Sequence, residues 1–253
     1  MTSVFKIGQH IDGKVGTYII SKQLHKDIWS ATYHDPATYQ SISPLTLNRS
    51  HSLGKVIIKT PPKYRLDNER DILKHFHARP GIRQLLDETQ NPPALVLNHL
   101  DDNLLSASNS KRLEKSEIKL VAKRILEGLQ ELHKDHYVHT GTYSPTLCHD
   151  RLFGFLRRLI LTRPLDIKPD NILVNYGIGS SRFAEVELGD CGDACYVNPL
   201  DHLRLGETGH VIGAHMFRSP EAMLNLRWGT PKDIWSFGAT VSSLLHLLCL
   251  SSR

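Results

Sequence analysis

The chain has 253 residues, 40% of them apolar, and carries 31 Lys and Arg against 26 Asp and Glu. That length and apolar content can bury a sizeable core, in one large domain or two lobes, and they exclude a chain disordered by composition. A surplus of five positive charges (31 minus 26), with no Lys/Arg run interleaved with aromatics, reads as a solvated basic surface and argues against a nucleic-acid partner.

In chain order, Tyr18-Ile19-Ile20 and Lys55-Val56-Ile57-Ile58-Lys59 are short β-branched runs bounded by turn residues, which predict strands of a small N-terminal sheet. Residues 34–52, rich in Ser, Thr, Pro and His, read as a loop. The spacing over 67–76 predicts a helix that turns Leu66, Ile72, Leu73 and Phe76 inward. Ala94-Leu95-Val96-Leu97 reads as a buried strand running into a polar connector at 98–102. Ser116 is the expected N-cap, with Glu117 at the positive end of the dipole, of a helix carrying Ile118, Val121, Ala122, Ile125, Leu126, Leu129 and Leu132 on one face. A second long helix is expected from Lys232 or Asp233 through Trp235, Phe237, Ala239, Val241, Leu244 and Leu245.

Four cysteines form no CxxC pair, and no basic stretch followed by an apolar core opens the chain. An intracellular location, cytoplasmic or nuclear, is the expectation. The longest apolar stretch, 244–250, is broken by His246 and falls far short of the roughly 20 residues of a membrane span, so no membrane partner is expected. The 15 histidines show no i, i+4 pair and read as surface or packing residues.

The chemistry is concentrated in Asp166-Ile167-Lys168-Pro169-Asp170-Asn171-Ile172-Leu173-Val174. A carboxylate at 166 can accept the proton of an attacking hydroxyl. The ammonium of Lys168 can neutralise a transferring phosphate, and the carboxamide of Asn171 can hold a metal ion. This segment resembles the catalytic loop of the eukaryotic protein kinases, and the resemblance runs from about Tyr18 to about Leu245. The D-x-K-P-x-N wording is similar to that of serine/threonine kinases, among them those that phosphorylate serine-arginine-rich splicing factors and their fungal relatives.

The resemblance implies an α+β bilobal fold: a β-rich N-lobe with a five-stranded sheet over 1–97, a hinge at 98–102, and an incomplete, mainly helical C-lobe over 103–253. It implies ATP and Mg2+ as cofactors and a protein substrate with a Ser or Thr acceptor, and it leaves the oligomeric state open. Lys59 ends a strand similar to VAIK and would contact the nucleotide phosphates, and Glu69 stands where that lysine's partner is expected. Leu97 takes the gatekeeper place, and Asn98, His99 and Leu100 that of the adenine-binding hinge. Leu173 would sit beside the nucleotide. Leu188-Gly189-Asp190-Cys191-Gly192 resembles DFG with Cys for Phe, which makes Asp190, with Asn171, the expected metal ligand. Ser219-Pro220-Glu221 occupies the APE place, and Asp233 would hold the catalytic-loop backbone.

Three departures stand out. His25, Asp27 and Ser30 replace the glycines of the phosphate-covering segment, where side chains obstruct backbone approach and Asp27 repels phosphate. His139 and Asp166, expected two positions apart, are separated by the insertion 141–165. It is read either as an excursion at the rim or, the favoured reading, as a translated intron whose 25 codons keep the frame. The resemblance also implies helices beyond Arg253. Without them Glu221 lacks its arginine, apolar faces lie open and poor solubility is expected. Thr140 replaces an arginine that would meet a phosphorylated activation loop, so activity independent of loop phosphorylation is expected. The leading expectation is a serine/threonine kinase. The alternative is a pseudokinase or truncated binding module without turnover.

Overall fold

The computed structural model describes residues 4–34, 54–139, 167–179, 181–198 and 214–250, the side chains of the last helix as far as Leu245. The fold is α+β, in two compact units: Met1–His77 with Arg83–Leu100, and Ala78–Ile82 with Asp101–Arg253.

The first unit is an antiparallel sheet of β1 (His10–Asp12), β2 (Thr17–His25), β3 (Ile28–Tyr33), β4 (Lys55–Lys59), β5 (Leu85–Gln90) and β6 (Pro93–Asn98), in the order β1-β2-β3-β4-β6-β5. It has six strands where the sequence suggested five. The addition, β1, buries only Ile11 of its three residues, so it offers no alternation to read and exists through its ladder to β2. Period-2 alternation sorts β3, β4 and β6 into two faces. Trp29, Ala31, Val56, Ile58, Ala94 and Val96 share a buried cluster with Phe5, whose ring stands edge-on to Trp29 at 5.7 Å.

Helix α1 (Lys63–His75) lies on the face that carries Lys59, as the pairing of Glu69 shows. It begins four residues before the expected start. Pro62 at the N-cap, with φ −50° and ψ 145°, sets the entry angle without offering a side-chain cap. Asp87, 5% exposed, ties β5 to the β1–β2 turn. Its carboxylate accepts from Lys14 N, Val15 N, Tyr18 Oη and Glu88 N at 2.7–3.0 Å.

The second unit holds α2 (Leu104–Ser110), α3 (Lys115–Lys134), α4 (Pro220–Met223) and α5 (Pro231–Leu250). Two small ladders complete it: β7 (Asp102–Asn103), β9 (Ile172–Tyr176) and β10 (Phe183–Leu188) in the order β10-β9-β7, and β8 (Tyr137–Val138) with β11 (Cys195–Tyr196). Helix α3 buries Ile118, Val121, Ile125, Leu129 and Leu132, each contributing about 1.5–3 kcal/mol relative to exposure. Leu126, read as inward, is 42% exposed at the edge of that stripe.

The N-cap of α3 is Glu114 rather than Ser116. Its carboxylate accepts the Glu117 N–H while the Glu117 carboxylate accepts the Glu114 N–H at 2.7 Å, a reciprocal capping box. Arg182 then clamps the α2–α3 corner, donating to Ala107 O at 2.6 Å and Lys111 O at 2.8 Å. Segment 78–82 meets α3 backbone to backbone. Gly81 has φ +73°, and a Cβ on Gly128 would lie 2.7 Å from Gly81 O, so neither position tolerates a side chain.

Helix α5 departs from the expected pattern. Trp235 and Leu245, two of the apolar residues along it, are 52% and 41% exposed. The buried stripe instead runs through Lys232, Asp233, Ser236, Phe237, Thr240 and Leu244, mostly polar because it serves the backbones packed against it. Ser236 Oγ donates to Phe217 O at 2.8 Å and Thr240 Oγ1 to Ile167 O.

Candidate active site

In the first unit, the ladder fixes Lys59 opposite Ile28 on one side and Leu95 on the other. Glu69 lies on the buried stripe of α1, one turn after Leu66 and one before Ile72 and Leu73. Lys59 Nζ donates to both Glu69 oxygens, at 2.6 and 2.8 Å, with side chains 10% and 2% exposed. Burying such a pair costs desolvation comparable to its attraction. It holds an ammonium in place more than it stabilises the fold.

The β2–β3 hairpin stays paired as far as His25↔Ile28, and Asp27 O accepts the Thr60 N–H at 2.9 Å, one residue beyond Lys59. The tip is thus a tight turn of Lys26 and Asp27 rather than a glycine arch.

Asn98, His99 and Leu100 follow β6. Asn98 N donates to Gln84 O at 3.0 Å, and Asn98 O accepts from both Arg83 Nε at 2.9 Å and Arg83 Nη2 at 2.7 Å. Both backbone polar groups of Asn98 are therefore engaged within the unit. A cavity of about 610 Å³ on this unit is lined by Lys14, Lys63, Leu66, Arg70, Glu88 and Pro93 among others. It includes neither Lys59 nor residues 98–100.

In the second unit, fully buried Asp233 organises the backbone. Its Oδ2 accepts the His139 N–H at 2.8 Å and lies 3.0 Å from His133 Nε2. His139 Nε2 donates to Gly189 O at 2.9 Å, and Gly189 N donates to Asn171 O at 2.8 Å. This chain of bonds sets the turn bearing Asp190 beside the start of β9, where Asn171 is 9% exposed. Asp190 adopts the left-handed conformation, φ 57° and ψ 59°, which a non-glycine residue takes up only where its surroundings impose it. Desolvation pushes the His139 imidazole below its ordinary pKa, outweighing the opposing pull of Asp233. The neutral tautomer with hydrogen on Nε2 fits the bond to Gly189.

Lys168, a quarter exposed, pairs with Asp170 at 2.7 Å, and Leu173 is half-buried in β9. Asp166, Thr140 and the insertion 141–165 lie outside the described residues. The structure thus brings together Lys59 with Glu69 in one unit, and the backbones of Asn171 and Gly189-Asp190 in the other. Sequence reasoning missed His133 as a second partner of Asp233, and Arg83 as the partner of Asn98 O. Neither carries a local signal, since each meets its partner only through the fold.

No protein-family model matches the chain. Among curated proteins, it is 28% identical over 194 residues to cyclin-dependent kinase 4 of Xenopus laevis, covering 72% of this chain and 49% of that kinase. It is 28% identical over 128 residues to human dual specificity tyrosine-phosphorylation-regulated kinase 3, covering 51% of this chain and 16% of that one. It is 24% identical over 151 residues to mitogen-activated protein kinase kinase 2 of Arabidopsis thaliana, covering 58% and 32%. All three are protein kinases, and at this low identity the likeness supports the protein kinase superfamily for this chain. The chain spans at most about half the length of these relatives, 49% in the fullest case.

Proposed function

We propose that the chain is the core of a serine/threonine protein kinase that transfers the γ-phosphate of ATP to a protein hydroxyl inside the cell. The observation that carries this reading is the buried two-oxygen pairing of Lys59 with Glu69, a costly arrangement that repays itself by presenting a fixed cation to phosphate.

Asp166 would accept the hydroxyl proton as its oxygen bonds to phosphorus, and Lys168 would meet the charge that gathers on the transferring group. Asn171 and Asp190 would hold Mg2+, which supplies positive charge against the phosphate oxygens. The donor set fits that ion: a carboxylate and a carboxamide oxygen on two segments joined by the Gly189–Asn171 bond. The kinship is left at the superfamily, since the three relatives named above fall in different kinase groups.

A second reading, a kinase-like binding module without turnover, is favoured by the paired hairpin at His25↔Ile28, which leaves Asp27 at a tip where phosphate would approach. The two separate in one comparison. MgATP should raise the melting temperature of the purified chain, Lys59→Met should abolish that shift, and radiolabel should pass from ATP to a Ser/Thr protein acceptor. A shift without transfer selects the binding module. No shift, with Lys59→Met indistinguishable from the parent, overturns both.

A further inference from the structure

We propose that the cavity beside the start of α1 is a second binding site, and that it takes a small apolar molecule bearing one carboxylate. The site is independent of the nucleotide reading. Lys59 and residues 98–100 take no part in it, and every residue that lines it belongs to the first unit.

The volume of about 610 Å³ falls within the range of small-molecule sites, roughly 300–1,000 Å³. Four separate stretches of chain wall it: the N-terminal segment at Val4, the β1–β2 turn at Lys14, the entry to α1, and the β5–β6 hairpin. Val4, Pro61, Leu66 and Pro93 supply apolar surface, so an apolar body gains by entering. Most of the charge around it is neutralised from within. Arg70 is held by Asp67 at 2.7 Å and by Asp71 at 2.8 Å, and Glu88 is held by Lys74 at 2.5 Å.

Two cations are the exception. Lys63 makes no ion pair among the described residues, and Lys14 reaches Glu88 only at 3.5 Å, a carboxylate that Lys74 already answers. Lys63 also stands at the first position of α1, whose first turn holds no carboxylate, so the helix dipole opposes its charge. An anion beside it relieves that opposition. Thr60, on the same wall, adds a neutral donor, since its buried hydroxyl has no hydrogen-bond partner among the described residues. A buried hydroxyl left in that state is costly, and a ligand oxygen within its reach would satisfy it. A monoanion fits this wall better than a phosphate dianion, because a second negative charge would lie near Asp67 and Glu88.

The test titrates biphenyl-4-carboxylate and its neutral isostere biphenyl-4-carboxamide into the purified chain, read by calorimetry. The parent should bind the carboxylate about tenfold more tightly than the amide, as a charge-assisted contact allows. Lys63→Gln should remove most of that preference and leave amide binding unchanged, which also shows that the variant is folded. Thr60→Val keeps the shape without the hydroxyl. It should weaken the carboxylate about threefold without lowering the melting temperature, a combination that a structural role for the hydroxyl would not give. Lys59→Met should leave both titrations as they are, although it is expected to abolish the response to MgATP, so the two sites stand or fail separately. No saturable binding of the carboxylate, or a preference for it that survives Lys63→Gln, overturns the inference.

Discussion

The two units hold their functional groups by different means. In the first, side chain meets side chain: Lys59 is fixed by Glu69. In the second, side chains hold backbone. Asp233 takes the His139 N–H, His139 takes Gly189 O, and Thr240 takes Ile167 O. The first arrangement places one charge and can lose it with the local fold intact. The second shapes the path of the chain itself, so a single lost side chain displaces every residue carried on that path. Asp233 should therefore matter more to stability than Lys59, although only Lys59 is expected to touch a substrate.

The largest effect tests that ranking. Asp233→Ala removes the acceptor of a buried amide and a buried imidazole contact together. It should cost about 3–5 kcal/mol, the range for breaking a buried charged network, and lower the melting temperature by on the order of 10 °C. Asp233→Asn keeps an acceptor oxygen and should lose less. A melting curve for Asp233→Ala within a degree of the parent would show that the α5 stripe does not support the backbone.

An intermediate effect probes the first unit where it too depends on a tight backbone. A Cβ on Gly13 would lie 2.1 Å from Asp87 Oδ2 and 2.8 Å from the Tyr18 ring. Asp87 cannot step aside without leaving its four donors. Gly13→Ala should cost about 1–3 kcal/mol, as overpacking does, measured by denaturant titration. In an Asp87→Ala background the same change should cost less, because the nearer obstruction is gone and only the Tyr18 ring remains in the way. Additive costs in that double-mutant cycle would remove the carboxylate as the cause.

How much of this was legible follows the same division. Lys59 and Glu69 could be read because the strand and helix that carry them resemble a kinase pattern in which the two pair; without that resemblance each would read as a surface charge. The start of α1 was misplaced although Pro62 announces it, since propensity over 67–76 is the louder signal. The cap of α3 was assigned to Ser116 because a hydroxyl is the commoner cap, but the reciprocal carboxylates of Glu114 and Glu117 cap each other's amides and start the helix two residues earlier.

The buried face of helix α5 was only partly legible, for a deeper reason. Apolar periodicity assumes that a buried face is apolar, and this one is lined with Asp233, Ser236 and Thr240 because its neighbours are backbone groups in need of partners. The Asp87 hub and the Arg83–Asn98 contact had no sequence signature, since their partners lie across strands. The Asp87 donors at Lys14 and Val15 are 73 and 72 residues away.

The smallest effect separates the units by pH. His139 is buried and its folded-state pKa is depressed, by desolvation first and against the pull of Asp233. The unfolded chain therefore binds a proton more readily than the folded one. Stability contributed by the neutral imidazole is full above the unfolded value of about 6.5 and declines as pH falls below it, until the folded pKa is passed. In the first unit Glu88 behaves differently. Burial pushes its carboxyl up, but Lys74 at 2.5 Å and Lys14 at 3.5 Å outweigh burial and hold it below the ordinary value. Its contribution is complete above the unfolded carboxylate pKa of 4.5 and is lost only as pH falls through the lower folded value. Acidification from pH 7.5 to 5.5 should thus loosen the second unit while leaving the first intact. Hydrogen exchange corrected for intrinsic rates should show lost protection at Val138, His139 and Gly189 and none at β5 and β6. Equal loss in both units over that range would mean that the buried imidazole does not set the acid sensitivity of its surroundings.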